Sequence, residues 1–170
     1  MLTTMRYRDL PTVEVTQRVR CDVPTAWALL TDINLPTRCS SELQCVDWLD
    51  GATGVEVGAR FQGRSKHEAF GEWSTVCEVV EVEDGGAQRR WVYDVVGPDG
   101  PGARWGFEVE PTSDGVLVRQ WGRMGPGPSG LTPAIVAMPD KEARIVANRL
   151  SEWRQNMQAN LDWVRSQAEA

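Results

Sequence analysis

The sequence predicts an α+β domain: a curved antiparallel sheet of about seven strands wrapped around one long C-terminal helix, with two short helices after the first strand. Three observations carry that expectation. Large rings and apolar groups recur two residues apart along successive segments, the spacing that puts them on one face of a strand. The rows are Phe61, Gly63, Ser65 and His67; Trp73, Thr75, Cys77 and Val79; Trp91, Tyr93 and Val95; and Trp105, Phe107 and Val109. The alternate positions are charged or polar, as in Arg60, Gln62, Arg64 and Lys66, or Arg104, Glu108 and Glu110, so one face is wet and the other covered. Finally, Val146, Leu150, Trp153, Met157, Leu161 and Val164 recur at helical spacing and make one apolar stripe. A helix of roughly 28 residues from Asp140 onward extends about 40 Å, enough to cross a curved sheet.

The remaining elements follow in order. Val13, Val15 and Val19 alternate with Glu14, Thr16, Arg18 and Arg20, which reads as an opening strand. Pro24 suits a first helical turn, and Ala26, Trp27, Leu29 and Leu30 give a short helix ending near Asp32. Leu35 to Glu42 is a second short helix or an irregular arm, and Gln44 to Asp50 is extended up to a turn at Asp50-Gly51. Glu83-Asp84-Gly85-Gly86 marks a hairpin, Gly97 to Gly102 a longer connection, and Pro111 to Gly115 a third. Val116 to Met124, containing Trp121, is a last strand whose phase is less clear. Met124 to Pro139 mixes four prolines with Leu131, Ile135, Val136 and Met138, a loop with an apolar side. Two readings of it stand: a lid over a cavity, or a connection pinned by its own apolar residues.

A chain of 170 residues fits one domain with a sizeable core. The expected division is an N-terminal extension at residues 1–11 and a single ligand-binding domain at 12–168. A net charge of −6 argues against nucleic acid, whose phosphates draw clustered Lys and Arg. The basic runs at Arg60 to Lys66 and Arg89-Arg90 alternate along strands and read as a solvated face. No stretch approaches the roughly 20 apolar residues of a membrane span. Met1 to Leu10 lacks the apolar core of a secretory signal, so a cytoplasmic location is expected. Cys21, Cys39, Cys45 and Cys77 are irregularly spaced and expected to be reduced. No metal set, phosphate loop or dinucleotide fingerprint is legible, so no cofactor is expected. Monomer and homodimer both remain open.

The order of elements resembles the helix-grip fold of the START and birch-pollen-allergen superfamily. Val23 to Asp32, Val57-Gly58-Ala59-Arg60-Phe61, Glu72-Trp73-Ser74-Thr75 and Leu150 to Trp163 are similar to bacterial SRPBCC proteins labelled polyketide cyclase/dehydrase. The resemblance covers about residues 12 to 167. It implies a cavity between the sheet and the last helix, entered near the 124–139 segment, that takes a hydrophobic small molecule: polyketide-like, aromatic or lipid-like. Many relatives carry an Asn shortly after the Gly-Arg pair, whereas here Gly63-Arg64 is followed by Ser65-Lys66-His67.

Candidate ligand-binding residues are therefore Phe61, Ser65, Trp73, Thr75, Trp91, Trp105, Phe107 and Trp121 from the sheet, and Leu150, Trp153 and Met157 from the helix. Tryptophan brings a flat apolar area that stacks on rings, although each indole is equally suited to packing as wall. His67, the one histidine, is the acid/base candidate, because imidazole exchanges a proton near neutral pH. Ser65 lacks a legible third partner for a triad. Tyr93 is a second catalytic candidate, its hydroxyl suited to polarising a carbonyl. Three functions remain: a cyclase or dehydratase, a carrier of a hydrophobic ligand, and a stress-related interaction protein with a reduced cavity.

Overall fold

The computed structural model describes residues 4–170, so the first three residues of the expected extension lie outside the described residues. Seven strands form one antiparallel sheet: β1 (Thr12–Val19), β2 (Leu43–Trp48), β3 (Arg60–His67), β4 (Gly71–Glu83), β5 (Arg89–Val95), β6 (Ala103–Thr112) and β7 (Gly115–Met124). Their order is β1-β7-β6-β5-β4-β3-β2. β2 to β7 run as a meander, and β1 returns to pair with the last strand, so the excursion after β1 is left at the sheet's ends. That excursion holds α1 (Val23–Leu30) and a 3-10 turn at Leu35–Arg38. After β7 come α2 (Thr132–Ala137) and α3 (Glu142–Ala168). Among the described residues no helix is long and apolar enough to cross a membrane.

The period-2 pattern decides which side chains share a face. In β7, Val116, Val118, Gln120, Gly122 and Met124 are buried while Leu117, Arg119, Trp121 and Arg123 take the other side. Strand pairing then aligns inner rows across the sheet: Trp91 lies opposite Phe107 and Phe107 opposite Gln120, while Tyr93 lies opposite Trp105 and Trp105 opposite Gly122. On the outer face the expected charges are paired. Arg104 makes a bidentate bridge to Asp94 at 2.6 and 2.9 Å, and Arg90 meets Glu81 at 3.1 Å. Such part-exposed pairs contribute about 0–1 kcal/mol each, so they organise the face more than they hold the fold.

The inner face supplies the core. Asp22 Oδ1 accepts from the Thr25 N–H at 2.8 Å and caps α1, with Pro24 in the first turn. The helix buries Ala26 and Leu30, and the Trp91 indole N–H donates to the Leu30 carbonyl at 2.9 Å, pinning the end of α1 to β5. α3 lies against β1 and β7 and buries Val146, Met157, Leu161 and Val164. It starts two residues later than Asp140, because Pro139–Lys141 first makes a 3-10 turn.

Two further details differ from expectation. The 124–139 segment contains α2, since Pro133 falls in its first turn, where a missing N–H costs nothing. Leu131 anchors that segment in a small second core with Met124 and Val146, against which Tyr7 packs. Residues of the 1–11 stretch also touch the domain: the Tyr7 hydroxyl reaches the Gly102 and Gly127 carbonyls at 3.1 and 2.7 Å, and the Pro11 carbonyl accepts from the Met124 N–H at 2.8 Å. β2 is shorter than foreseen and carries an irregularity between Leu43 and Cys45.

Candidate ligand-binding site

Between the concave face and α3 lies a cavity of about 620 Å³, within the range of sites for small organic molecules. It is lined from the sheet by Phe61, Ser65, Trp73, Thr75, Trp91, Tyr93, Trp105 and Phe107, and from α3 by Trp153 and Met157. These rings play two parts. Phe61, Trp91 and Phe107 are nearly fully buried, with Trp91 stacked on Phe107 at 5.6 Å, and they form a fixed wall. Trp73, Tyr93, Trp105 and Trp153 are only partly buried and line the open space. Trp105 and Trp153 meet at 4.3 Å between centroids, joining sheet to helix across the cavity.

Phe70 and Val96 line the cavity and are also exposed, so they mark where it meets solvent. Gly97, Pro98 and Gly102 line it too, as do Pro128 to Leu131. These two stretches are tied together, Gly125 N–H donating to Gly102 O and Gly127 N–H to Pro101 O, both at 2.8 Å. The Tyr7 hydroxyl bridges the same pair of loops.

Tyr93 sits in the aromatic wall, 5.0 Å from Phe61 and 5.2 Å from Trp91. Burial pushes its phenol well above the ordinary value, and no described residue hydrogen-bonds its hydroxyl. The group is therefore a neutral donor facing the cavity. Burial likewise pushes the Cys77 thiol, on the same wall, up to about 12, which makes it unreactive at neutral pH.

Three expected residues stand elsewhere. Trp121 is on the outer face, its indole N–H donating to Glu108 at 2.8 Å, because its parity in β7 is opposite to that of Gln120 and Gly122. Leu150 packs against both hydrophobic cores and is not part of the lining. His67 shares the face of Phe61 and Ser65 but ends β3 and is not itself part of the lining, although its ring lies 4.6 Å from that of Phe70 at the cavity mouth.

There His67 joins a charged cluster. The Ala69 N–H donates to its Nδ1 at 2.9 Å, which leaves the neutral ring's proton on Nε2, 2.6 Å from Glu152 Oε2. Arg149 grips Glu42 with both Nη atoms, at 2.6 and 2.9 Å, and reaches Glu152 at 3.0 Å. Its guanidinium lies over the Phe70 ring, 5.3 Å from the centroid. Glu42 precedes β2, whereas Arg149 and Glu152 belong to α3, so the cluster latches the sheet edge to the helix beside the cavity mouth. Glu42, His67 and Glu152 bring donor atoms within 4.8 Å of one another, the spacing of a cation site. The set does not fit one: Arg149 already occupies both carboxylates, and the Ala69 N–H fixes the tautomer that keeps a proton on the nitrogen a metal would need.

Gln120, Asn156 and Asn160 also line the cavity, as do Glu42 and Arg149; none of these, nor Glu152, is among the candidates the sequence offers. Two of them left a trace. Gln120 interrupts the inward row Val116, Val118, Gly122 and Met124, and Asn160 falls within the apolar stripe between Met157 and Leu161. A polar residue in an inward phase is the signal the sequence carries for them.

A family model described as polyketide cyclase/dehydrase and lipid transport matches residues 11–162. No curated protein matches the sequence. Among solved structures, the polyketide_cyc-like protein Cgl2372 from Corynebacterium glutamicum is similar, with a TM-score of 0.60 and 21% identity over 91% of this chain and 88% of that one. The di-domain ARO/CYC protein StfQ from the steffimycin biosynthetic pathway has a TM-score of 0.69 and 15% identity; 96% of this chain covers 52% of StfQ, about half of its length. Ara h 8.0201 gives 0.57 and 9% over 92% and 99% of the two chains. At these identities the likeness is one of fold, the helix grip.

Proposed function

Because the chain belongs to the polyketide cyclase/dehydrase and lipid transport family, we propose that it binds a flat, hydrophobic, polyketide-like aromatic molecule between the sheet and α3. The observation that carries this reading is the cavity of about 620 Å³ walled by Trp73, Tyr93, Trp105 and Trp153. Apolar burial supplies most of the affinity there, and a few polar groups orient the guest. A space of that size argues against the reduced-cavity interaction protein. StfQ, an ARO/CYC protein of a biosynthetic pathway, lends the aromatic class its support.

Chemistry, where it occurs, centres on Tyr93. Its hydroxyl stays protonated, so it donates a hydrogen bond to a ligand carbonyl and draws charge onto that oxygen, which makes the neighbouring carbon more acidic. The enclosed walls hold a reactive chain folded for ring closure or dehydration. His67 has the latch with Glu152 as its role in this reading, in place of acid/base work in the cavity.

Quenching of tryptophan fluorescence by a planar three-ring quinone tests the site. Saturable quenching by the wild type is expected, with affinity lost in Thr75→Trp, which fills the space; quenching indifferent to that substitution overturns the reading. Tyr93→Phe then separates the two forms of it. A fall in turnover at unchanged affinity marks an enzyme, and a fall in affinity alone marks a carrier.

A further inference from the structure

One wall of the cavity holds a polar pair for which apolar burial offers no use. Gln120 of β7 and Asn160 of α3 are each 3% exposed. Asn160 Nδ2 donates to Gln120 Oε1 at 3.0 Å, while Asn160 Oδ1 is shielded and has no hydrogen-bond partner among the described residues. Asn156, one helical turn before Asn160, lines the same cavity. Buried amide groups are nearly always paired. As a strap between helix and sheet, the pair does nothing that two apolar side chains of the same shape would not do about as well. Its unused hydrogen-bonding capacity is the feature that sets it apart.

That capacity has a definite form. The Gln120–Asn160 bond uses one amide nitrogen and one amide oxygen, leaving the other oxygen and the other nitrogen free. Turning both amides over reverses the bond and leaves the same two kinds of group. Terminal amide torsions are broad, so either plane can turn its free atoms toward the cavity that both residues line. One chemical group answers both needs with a single atom: a hydroxyl, which donates to the amide oxygen and accepts from the amide N–H.

We propose that the Gln120–Asn160 pair is a recognition site for a ring hydroxyl, so that the guest is a phenolic multi-ring compound, distinct from a bare aromatic hydrocarbon or a fatty acyl chain. This rests on the proposed function, whose aromatic site it sharpens. Placement agrees with it. Gln120 lies two strands from β5, where Tyr93 stands in the next inner row. At roughly 4.8 Å per strand, the two backbones are about 10 Å apart, so a fused-ring guest spans from a carbonyl at Tyr93 to a hydroxyl at the amide pair.

The test compares 2-hydroxyanthraquinone with anthraquinone by fluorescence titration of the wild type, Asn160→Leu and the double variant Gln120→Met/Asn160→Leu. Circular dichroism checks that each variant is folded. The wild type is expected to prefer the hydroxylated compound roughly tenfold. The substitutions are expected to erase that preference, weakening the hydroxylated compound by about the same factor and anthraquinone much less. A wild type that binds both equally overturns the proposal without any appeal to variants. Equal weakening of both compounds by Asn160→Leu also overturns it, leaving the pair as a strap. A wild type that binds neither compound removes the aromatic site itself, and this inference with it.

Discussion

Trp105 and Trp121 stand on neighbouring strands, and each lies over the glycine opposite it, Trp105 over Gly122 and Trp121 over Gly106. A Cβ on Gly122 would come within 2.6 Å of the Trp105 ring, and one on Gly106 within 2.3 Å of the Trp121 ring. The local packing is thus the same, but the surroundings differ. Trp105 faces α3, touches Trp153 and lines the cavity; Trp121 faces outward and gives its N–H to Glu108 among the ion pairs. An indole laid over a glycine makes a smooth apolar wall. Whether that wall receives a guest depends on what arches over it, and only one face of this sheet is covered by a helix.

The strongest way to break the contrast is to add a methyl group beneath each ring. Gly122→Ala and Gly106→Ala should each cost about 1–3 kcal/mol, since the ring beside the new group must shift, and thermal unfolding reads that loss. Only Gly122→Ala should also weaken a planar ligand, because only Trp105 is displaced within the cavity. Matching losses of affinity would mean that the two faces are not separate in function.

A smaller effect, confined to alkaline solution, distinguishes the inner face by its buried phenol. Burial raises the Tyr93 pKa on folding, so the neutral group favours the native state below its unfolded value of about 10 and that contribution is lost as pH rises toward the folded value. Urea unfolding of the wild type should lose more stability between pH 8 and 11 than Tyr93→Phe does. An identical loss would show that the phenol titrates freely.

Smallest of all is Trp121→Phe. The lost hydrogen bond to part-exposed Glu108 should cost about 0.5–1.5 kcal/mol, with ligand affinity untouched. A change in affinity would connect the outer face to the cavity.

Much of this architecture was legible residue by residue. The inward rows through Phe61, Trp91 and Phe107 follow from side-chain alternation, a local property of extended backbone that needs no knowledge of neighbours. The α3 stripe follows equally from helical period. In β7 the pattern was harder to phase, since Leu117 and Trp121 are apolar on the outward side and Gln120 is polar on the inward side. The outward side of Trp121 is for that reason not legible from β7 alone. His67 shows a different limit: parity gives its face correctly, but its position at the end of the strand puts it at the cavity mouth, against a partner, Glu152, that lies 85 residues away in sequence.

Alternation and helical spacing, together with family likeness, were enough to specify a sheet with one covered face and the helix that covers it, because both periodicities are written into consecutive residues. Three things depended on long-range assembly: the size of the space left under α3, the latch that joins Glu42 and His67 to Arg149 and Glu152, and the meeting of Gln120 with Asn160. Hydrogen bonds and cavities are set by distances between segments far apart in the chain, and no short-range pattern encodes those distances. Folding brings the segments together, and the polar groups then find their partners or are left, as Asn160 Oδ1 is, without one.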